Sequence, residues 1–292
     1  MPFLSFSVFL PHKKSAFAYT YRMPKRFFYL IFCVLFPLLL SCQQPPVVQN
    51  STQRTPVSAQ PLDNASEFWD ISNTDITGVD ANKKLVAFTF DDAPSKCLED
   101  LIAIFASFNE QNPDTQASAT LFCNGKRLDK HTITTLQMAT TIGFELGNHS
   151  FSHADLTSLS KEKLSWEIDE TDALLGAIDG KERHLFRAPY GNTNDLVKKT
   201  VKTPLIDWTV DTLDWTGRSA DTIYETVLSN VYSGAIVLFH DGYLETVNAV
   251  KRLLPALKDD GYQVVSVSKL AKAHACPLKN GSVYIRARKK SG

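Results

Sequence analysis

From about residue 67 to residue 277 the chain alternates short apolar runs with longer stretches whose apolar positions recur every three or four residues. That alternation predicts strands and helices in turn, the pattern of an α/β domain with parallel strands. Strands are expected over 85–90, 119–122, 144–147, 185–187, 205–210, 235–239 and 263–265. Helices are expected over 98–109, 130–142, 161–178, 194–199, 222–231 and 244–258. The stretch 161–178 shows the helical period best: Leu164, Ile168, Leu174, Leu175 and Ile178 share one broad face, with Glu162, Lys163, Glu167 and Glu170 mostly off it. About seven parallel strands separated by helices predict a single distorted (β/α) barrel, whose active site belongs at the C-terminal strand ends.

The N-terminal part has a different pattern. Lys25 and Arg26 precede an unbroken apolar run from Phe27 to Leu40, shorter than the roughly 20 residues a spanning helix needs but suited to the core of a signal peptide. Leu39-Leu40-Ser41-Cys42 resembles the lipobox of bacterial lipoproteins, which implies cleavage before Cys42 and a lipid on its sulfur. Residues 1–22 then read as an overextended start, 23–41 as the signal peptide, and 42–66, rich in Gln, Pro, Ser and Thr, as a flexible, lipid-anchored linker. Residues 67–277 form the folded domain and 278–292 a basic tail. The expected location is extracytoplasmic, at the bacterial envelope, with a membrane contact through Cys42.

Charge narrows the partners. Thirty-one basic and 31 acidic residues cancel, so nothing points to nucleic acid. Three cysteines, Cys97, Cys123 and Cys276, fall within the folded part or its tail, which permits at most one disulfide. Cys123 reads as a buried thiol; Cys97, opening a helix beside the polar strand ends, reads as the more reactive one.

The polar residues make the barrel reading productive. The apolar run 85–90 stops at two adjacent carboxylates, Asp91 and Asp92, which repel one another unless a cation lies beside them. His149 and His153, four apart, can face one way on a helical turn and bind one cation. Arg187, Asp211 with Asp214, and His240 also sit at or just beyond predicted strand ends. His131, His184 and His274 lack such neighbours and read as surface or helix-end residues.

The ordered segments Thr89-Phe90-Asp91-Asp92-Ala93-Pro94, His149-Ser150-Phe151-Ser152-His153, Arg187-Ala188-Pro189-Tyr190, Asp211-Thr212-Leu213-Asp214-Trp215 and Leu238-Phe239-His240-Asp241 resemble the five motifs of the NodB-type polysaccharide deacetylases, carbohydrate esterase family 4. One departure is Ala93, where that family usually has glycine; a methyl group there removes no ligand. The resemblance implies a metal-dependent hydrolase that removes N-acetyl groups from N-acetylglucosamine residues of an envelope polysaccharide, peptidoglycan or chitin-like. Asp92, His149 and His153 would hold a divalent metal, Zn2+ first and Co2+ or Ni2+ as alternatives, a donor set such ions favour. By the same resemblance a metal-activated water attacks the acetyl carbonyl, Asp91 is the general base and Arg187 keeps it ionised. His240 is the acid that protonates the leaving amine and Asp214 stabilises its imidazolium form. The backbone N–H of Tyr190 would meet the oxyanion, while Tyr190, Trp215 and Leu238 line the substrate groove. Asp211 and Asp241 read as structural carboxylates.

Other functions remain open on sequence. The closest is an O-acetyl esterase acting on xylan; ester cleavage needs less help from His240. Two histidines and a carboxylate also suit a non-haem iron oxygenase, though that leaves the base, arginine and acid unexplained. A glycan-binding lipoprotein without turnover is the third.

Overall fold

The computed structural model describes residues 67–289. The expected overextended start, signal peptide, lipidated Cys42 and the whole linker, 42–66, lie outside the described residues. Within them the order is β1 (Lys84–Ala93), α1 (Leu98–Gln111), β2 (Thr120–Cys123), α2 (Lys130–Thr141), β3 (Glu145–Asn148), α3 (Lys161–Asp179), α4 (Asp195–Thr200), β4 (Leu205–Ile206), β5 (Val210–Asp211), α5 (Ala220–Asn230), β6 (Ile236–His240), α6 (Leu244–Asp259), β7 (Tyr262–Val265), α7 (Val267–Ala273) and β8 (Val283–Tyr284).

β1 is the central strand. Its first half pairs with β7, its second half with β2 and its middle with β6, all in parallel. Because both of its faces are covered, its sequence is apolar at successive positions rather than alternating. The alternation is still there in three dimensions: Val86, Phe88 and Phe90 pack outward with α1 and α6 residues such as Phe105 and Leu253. Leu85 and Ala87 point into a second cluster with Phe122, Ile236 and Val265. Phe239 of β6 meets Phe88 edge-on at 4.9 Å and stacks on Phe90 at 5.2 Å, fixing β1 against β6 next to the acidic strand end.

The parallel path runs β3, β2, β1, β6, β5. It continues from β3 through single bridges at Phe186 to β4, which pairs with β8. An antiparallel bridge from Arg286 to Ala235 returns to the base of β6. The architecture is the expected distorted (β/α) barrel. Among the described residues no helix is long and apolar enough to cross a membrane.

Four expectations change. Residues 185–187 form only the bridges of Phe186, with no ladder. The strand expected over 205–210 divides in two because the backbone donors flanking Trp208 go to different partners, Asp207 N–H to Tyr284 and Thr209 N–H to Ile236. α7 is too short for a periodicity to show and starts at the cap of Ser266 on Lys269 N–H. Residues 278–289 are not a free tail: Leu278 and Ala287 are buried, and β8 pairs with β4. The basic side chains there alternate with apolar ones that the barrel covers.

Candidate active site

The sheet's C-terminal edge carries the site. Asp91 and His240 are neighbours in register on β1 and β6. At the C-terminal end of β1, Asp92 adopts a left-handed backbone (φ 64°), as do Ser150, His153, Tyr190 and Leu213. Among the described residues, five of the six non-glycine residues with positive φ thus fall at or around this edge, where strain persists only if the surroundings over-determine it.

The surroundings do so at Arg187. Its guanidinium is fully buried, stacks over Phe122 at 4.2 Å, and donates to Asp91 Oδ1 at 2.7 Å, Thr89 Oγ1 at 2.8 Å, and the carbonyls of Ile206 and Asp207. A buried charge so fully paired fixes its partner. Burial pushes the Asp91 carboxyl up, but Arg187, with His149 and His240 beyond it, outweighs burial and holds it below the usual carboxylate range.

Asp92, His149 and His153 each point one donor atom into a common space, all within 4.8 Å of one another. His149 donates Nδ1–H to the carbonyl of Arg187 at 2.8 Å, which leaves Nε2 as the free donor. Asp92 Oδ1 is buried with no hydrogen-bond partner. An orphaned carboxylate oxygen beside two imidazole nitrogens is what a divalent cation would satisfy, so the residues fit such an ion. The two histidines are not on a helix, contrary to the spacing argument: the left-handed turns at Ser150 and His153 fold the segment into a loop.

His240 is tied on its far side. Asp214 accepts from His240 Nδ1 and backbone N–H, both at 2.8 Å, and from Trp215 N–H and Thr246 Oγ1. Burial would lower the His240 pKa, but the bond to Asp214 and the nearby Asp91 raise it above the ordinary value.

A cavity of about 440 Å³ joins these groups. Asp91, Asp92, His149, His153, His240, Tyr190, Trp215 and Leu238 line it as the sequence suggests, with Tyr190 and Trp215 largely exposed. Asp211 also faces it while accepting from Leu213 N–H. Trp208 and Tyr243 line it too, and sequence reasoning missed both. Thr246 was also missed; it lies one helical turn beyond the His240 motif, and only the fold brings it to Asp214.

Some expectations fail. Cys97 is not activated, since burial and then Asp241 raise its pKa; all three described cysteines are free. His184 is buried between Asp172 and Asp179, at 2.9 and 3.1 Å, and His274 is buried with Nδ1 on the carbonyl of Ala287. Glu167, placed off the apolar face of its helix, is completely buried. Asp241 is structural as expected: it accepts from Ser95 N–H and Oγ, and burial nevertheless pushes it up to about 6. Ala93 is buried and has no positive φ, so its extra methyl is accommodated.

An α/β barrel with carboxylate and imidazole donors, a carboxylate and an imidazole adjacent in register and a groove at its strand ends suits a hydrolase. The chain belongs to the polysaccharide deacetylase family, whose profile matches residues 78–204. A peptidoglycan-N-acetylglucosamine deacetylase of Bacillus cereus is 33% identical over 219 residues, covering 69% of this chain and 91% of that protein. The peptidoglycan-N-acetylmuramic acid deacetylase PdaC of Bacillus subtilis is 34% identical over 192 residues, 66% of this chain and 40% of PdaC. A bifunctional xylanase/deacetylase of Pseudobutyrivibrio xylanivorans is 31% identical and is covered over 31% of its length. This chain therefore spans less than half of the last two. Among solved structures, the T48 deacetylase with substrate superposes with a TM-score of 0.65 at 31% identity, over 70% of this chain and 99% of that one.

Proposed function

We propose that the protein is a metal-dependent deacetylase that removes acetyl from N-acetylglucosamine residues of an envelope polysaccharide, peptidoglycan first. The observation carrying this reading is the opposite tuning of two groups adjacent in register and each bonded to a partner: Asp91 on Arg187, with its pKa lowered, and His240 on Asp214, with its pKa raised. A hydrolase that must take a proton from water and give one to an amine needs such a pair.

Asp92, His149 and His153 would hold the cation. A divalent ion there, Zn2+ on donor chemistry with Co2+ or Ni2+ as alternatives, would polarise the acetyl carbonyl and acidify water. Asp91 takes a proton from the attacking water as its oxygen bonds to the acetyl carbon. The Tyr190 backbone N–H, presented by a strained turn, donates to the oxygen that gains charge. The carbon–nitrogen bond then breaks, and His240 Nε2 gives its proton to the departing amine; acetate and a free glucosamine amine result. Arg187 and Asp214 act through Asp91 and His240. Trp215, Tyr190 and Leu238 hold the sugar face and the acetyl methyl.

The same groove would also admit an O-acetyl ester of xylan, and the resemblance to the xylanase/deacetylase keeps that as the second reading. Acting on a wall polymer requires an extracytoplasmic enzyme, and the Leu39-Leu40-Ser41-Cys42 segment supports anchoring through lipid on Cys42. The deciding experiment measures acetate release by the full chain from peptidoglycan, chitooligosaccharides and acetylxylan, each with chelator and with added zinc. Zinc-dependent release from the first two upholds the proposal; release from acetylxylan alone replaces it with the esterase, and no release from any of the three overturns both.

A further inference from the structure

The loop that brings His153 to the candidate cation position is held by a group from outside the family motifs. Accounting for the loop's polar backbone shows how. On the acceptor side, the carbonyl of His149 takes Asn124 Nδ2, that of Ser150 takes Gly125 N–H, that of Phe151 takes Lys126 N–H, and that of Ser152 takes Lys126 Nζ. All four come from the segment after β2. On the donor side, His149 N–H goes back to Cys123, Ser150 N–H to Asn148 Oδ1 and His153 N–H to Ser150 Oγ. Each of these is local or sheet-derived.

Two further donors belong to Ser152, and both go to one carboxylate. Glu167, on the second turn of α3, accepts Ser152 N–H on Oε2 at 2.7 Å and Ser152 Oγ–H on Oε1 at 2.6 Å. Its side chain is entirely buried, it pairs with the half-exposed Lys163 at 3.6 Å, and Thr171 Oγ1 donates to its backbone carbonyl. A buried carboxylate costs several kcal/mol of desolvation unless its oxygens are satisfied, so this one is poorly explained as helix packing. The Ser152 it grips sits one residue before the left-handed His153 (φ 61°), where a hold on both Ser152 donors determines which way the imidazole points.

We propose that Glu167 is a positioning residue for the cation site, acting through Ser152 to set His153 at ligating distance from Asp92 and His149. The inference rests on the metal-site reading above and goes beyond it in placing a determinant of metal affinity on α3. Glutamine at 167 keeps the volume but removes the charge and leaves one acceptor: Ser152 N–H can stay on it, while the Ser152 hydroxyl must turn from donor to acceptor of the new NH2. Alanine at 152 removes the hydroxyl half of the grip and leaves Glu167 in place.

The test measures Zn2+ dissociation constants of the full chain by competition with a chelating dye, for parent, Glu167→Gln and Ser152→Ala, with the thermal midpoint of each metal-free protein. Zinc affinity should fall about 10- to 100-fold in Glu167→Gln, as loss of an outer partner of a metal ligand typically does, and severalfold in Ser152→Ala. KM at saturating zinc should stay unchanged in both. Zinc affinity within about twofold of parent in both variants, whatever the midpoints do, overturns the proposal. If the parent itself binds no zinc, the metal-site reading fails instead. If Glu167→Gln does not fold, Ser152→Ala alone decides.

Discussion

At the scale of single residues, the site's chemistry depends on partners that hold two ionisable groups away from their ordinary behaviour. His240 is the clearer case, because burial alone would lower its pKa and Asp214 reverses the sign. A raised pKa keeps the imidazolium populated to higher pH, so the proton it donates is lost only as pH climbs through that raised value. In Asp214→Asn the carboxylate is gone while the burial remains, so the pKa should drop and the alkaline limb of kcat/KM should move to lower pH. Activity relative to parent should then be poorer at about pH 8 than at about pH 6, the interval in which histidine titrates; an unmoved limb would remove His240 from the acid's role. Replacing the acid outright separates substrates. His240→Ala should cost amide cleavage about 10²- to 10⁴-fold, and an acetyl ester much less, because an alkoxide leaves without prior protonation. Equal losses on paired N-acetyl and O-acetyl substrates would contradict that.

At the scale of elements, α3 and the β4–β8 pair carry more than their sequences advertise. α3 begins at the Ser160 cap, ends at Gly180 and buries Glu167 and Asp172 on its inner side. His184, just beyond its C-terminus, bridges Asp172 to Asp179, and Asp172 also accepts from Asn148, the residue before His149. Burial lowers the His184 pKa, but the two carboxylates outweigh it and raise the net value. By sign, the stability this histidine contributes is complete below about pH 6.5, the unfolded value, and is lost as pH rises through its raised folded pKa. His184→Gln should therefore be destabilised at acidic to neutral pH, by about 1–3 kcal/mol, since Asp172 keeps Arg183 and Asn148, and Asp179 keeps Lys181. Its denaturation midpoint should also lose the parent's decline toward alkaline pH; a parallel decline in both proteins would place the titration elsewhere. The β8 segment offers a sharper test. Gly234 has φ +93°, and a Cβ there would lie 2.5 Å from the carbonyl of Ala287. Gly234→Ala should lower stability by about 1–3 kcal/mol in urea melts, although position 234 lies in none of the motifs. A neutral effect would mean that residues 278–289 do not close the barrel.

At the scale of the whole molecule, what could be read from the sequence follows from where hydrogen-bond partners lie. The long strands, the helices and the motif residues were legible because each is marked locally, by an apolar period or by a charge where an apolar run stops. The two-residue strands β4, β5 and β8 exist only through partners far along the chain, and Phe186 bridges without a ladder for the same reason. Glu167 was hidden because a glutamate on a helix ordinarily faces water, and its burial depends on a loop that the His149–His153 spacing made look helical. Trp208 and Tyr243 carry no charge to mark them and face the groove only once the strands are assembled. This division also predicts how the molecule responds to loss of its cation. Arg187 with Asp91, Asp214 with His240, and Glu167 with Ser152 are each joined by hydrogen bonds between protein atoms; within the candidate cluster, Asp92 Oδ1 is buried with no hydrogen-bond partner. The barrel should consequently stay folded without metal: chelation should abolish acetate release while leaving the far-ultraviolet circular dichroism unchanged, and added zinc should restore activity. Because the ion binds only the native state, zinc at about 100 times its dissociation constant should add about 2.7 kcal/mol of stability, seen as a higher melting temperature that keeps rising with zinc concentration. Loss of helical signal on chelation would instead show that the ion organises the strand-end loops, and the strained turns at Asp92, Ser150 and His153 would then be consequences of metal binding.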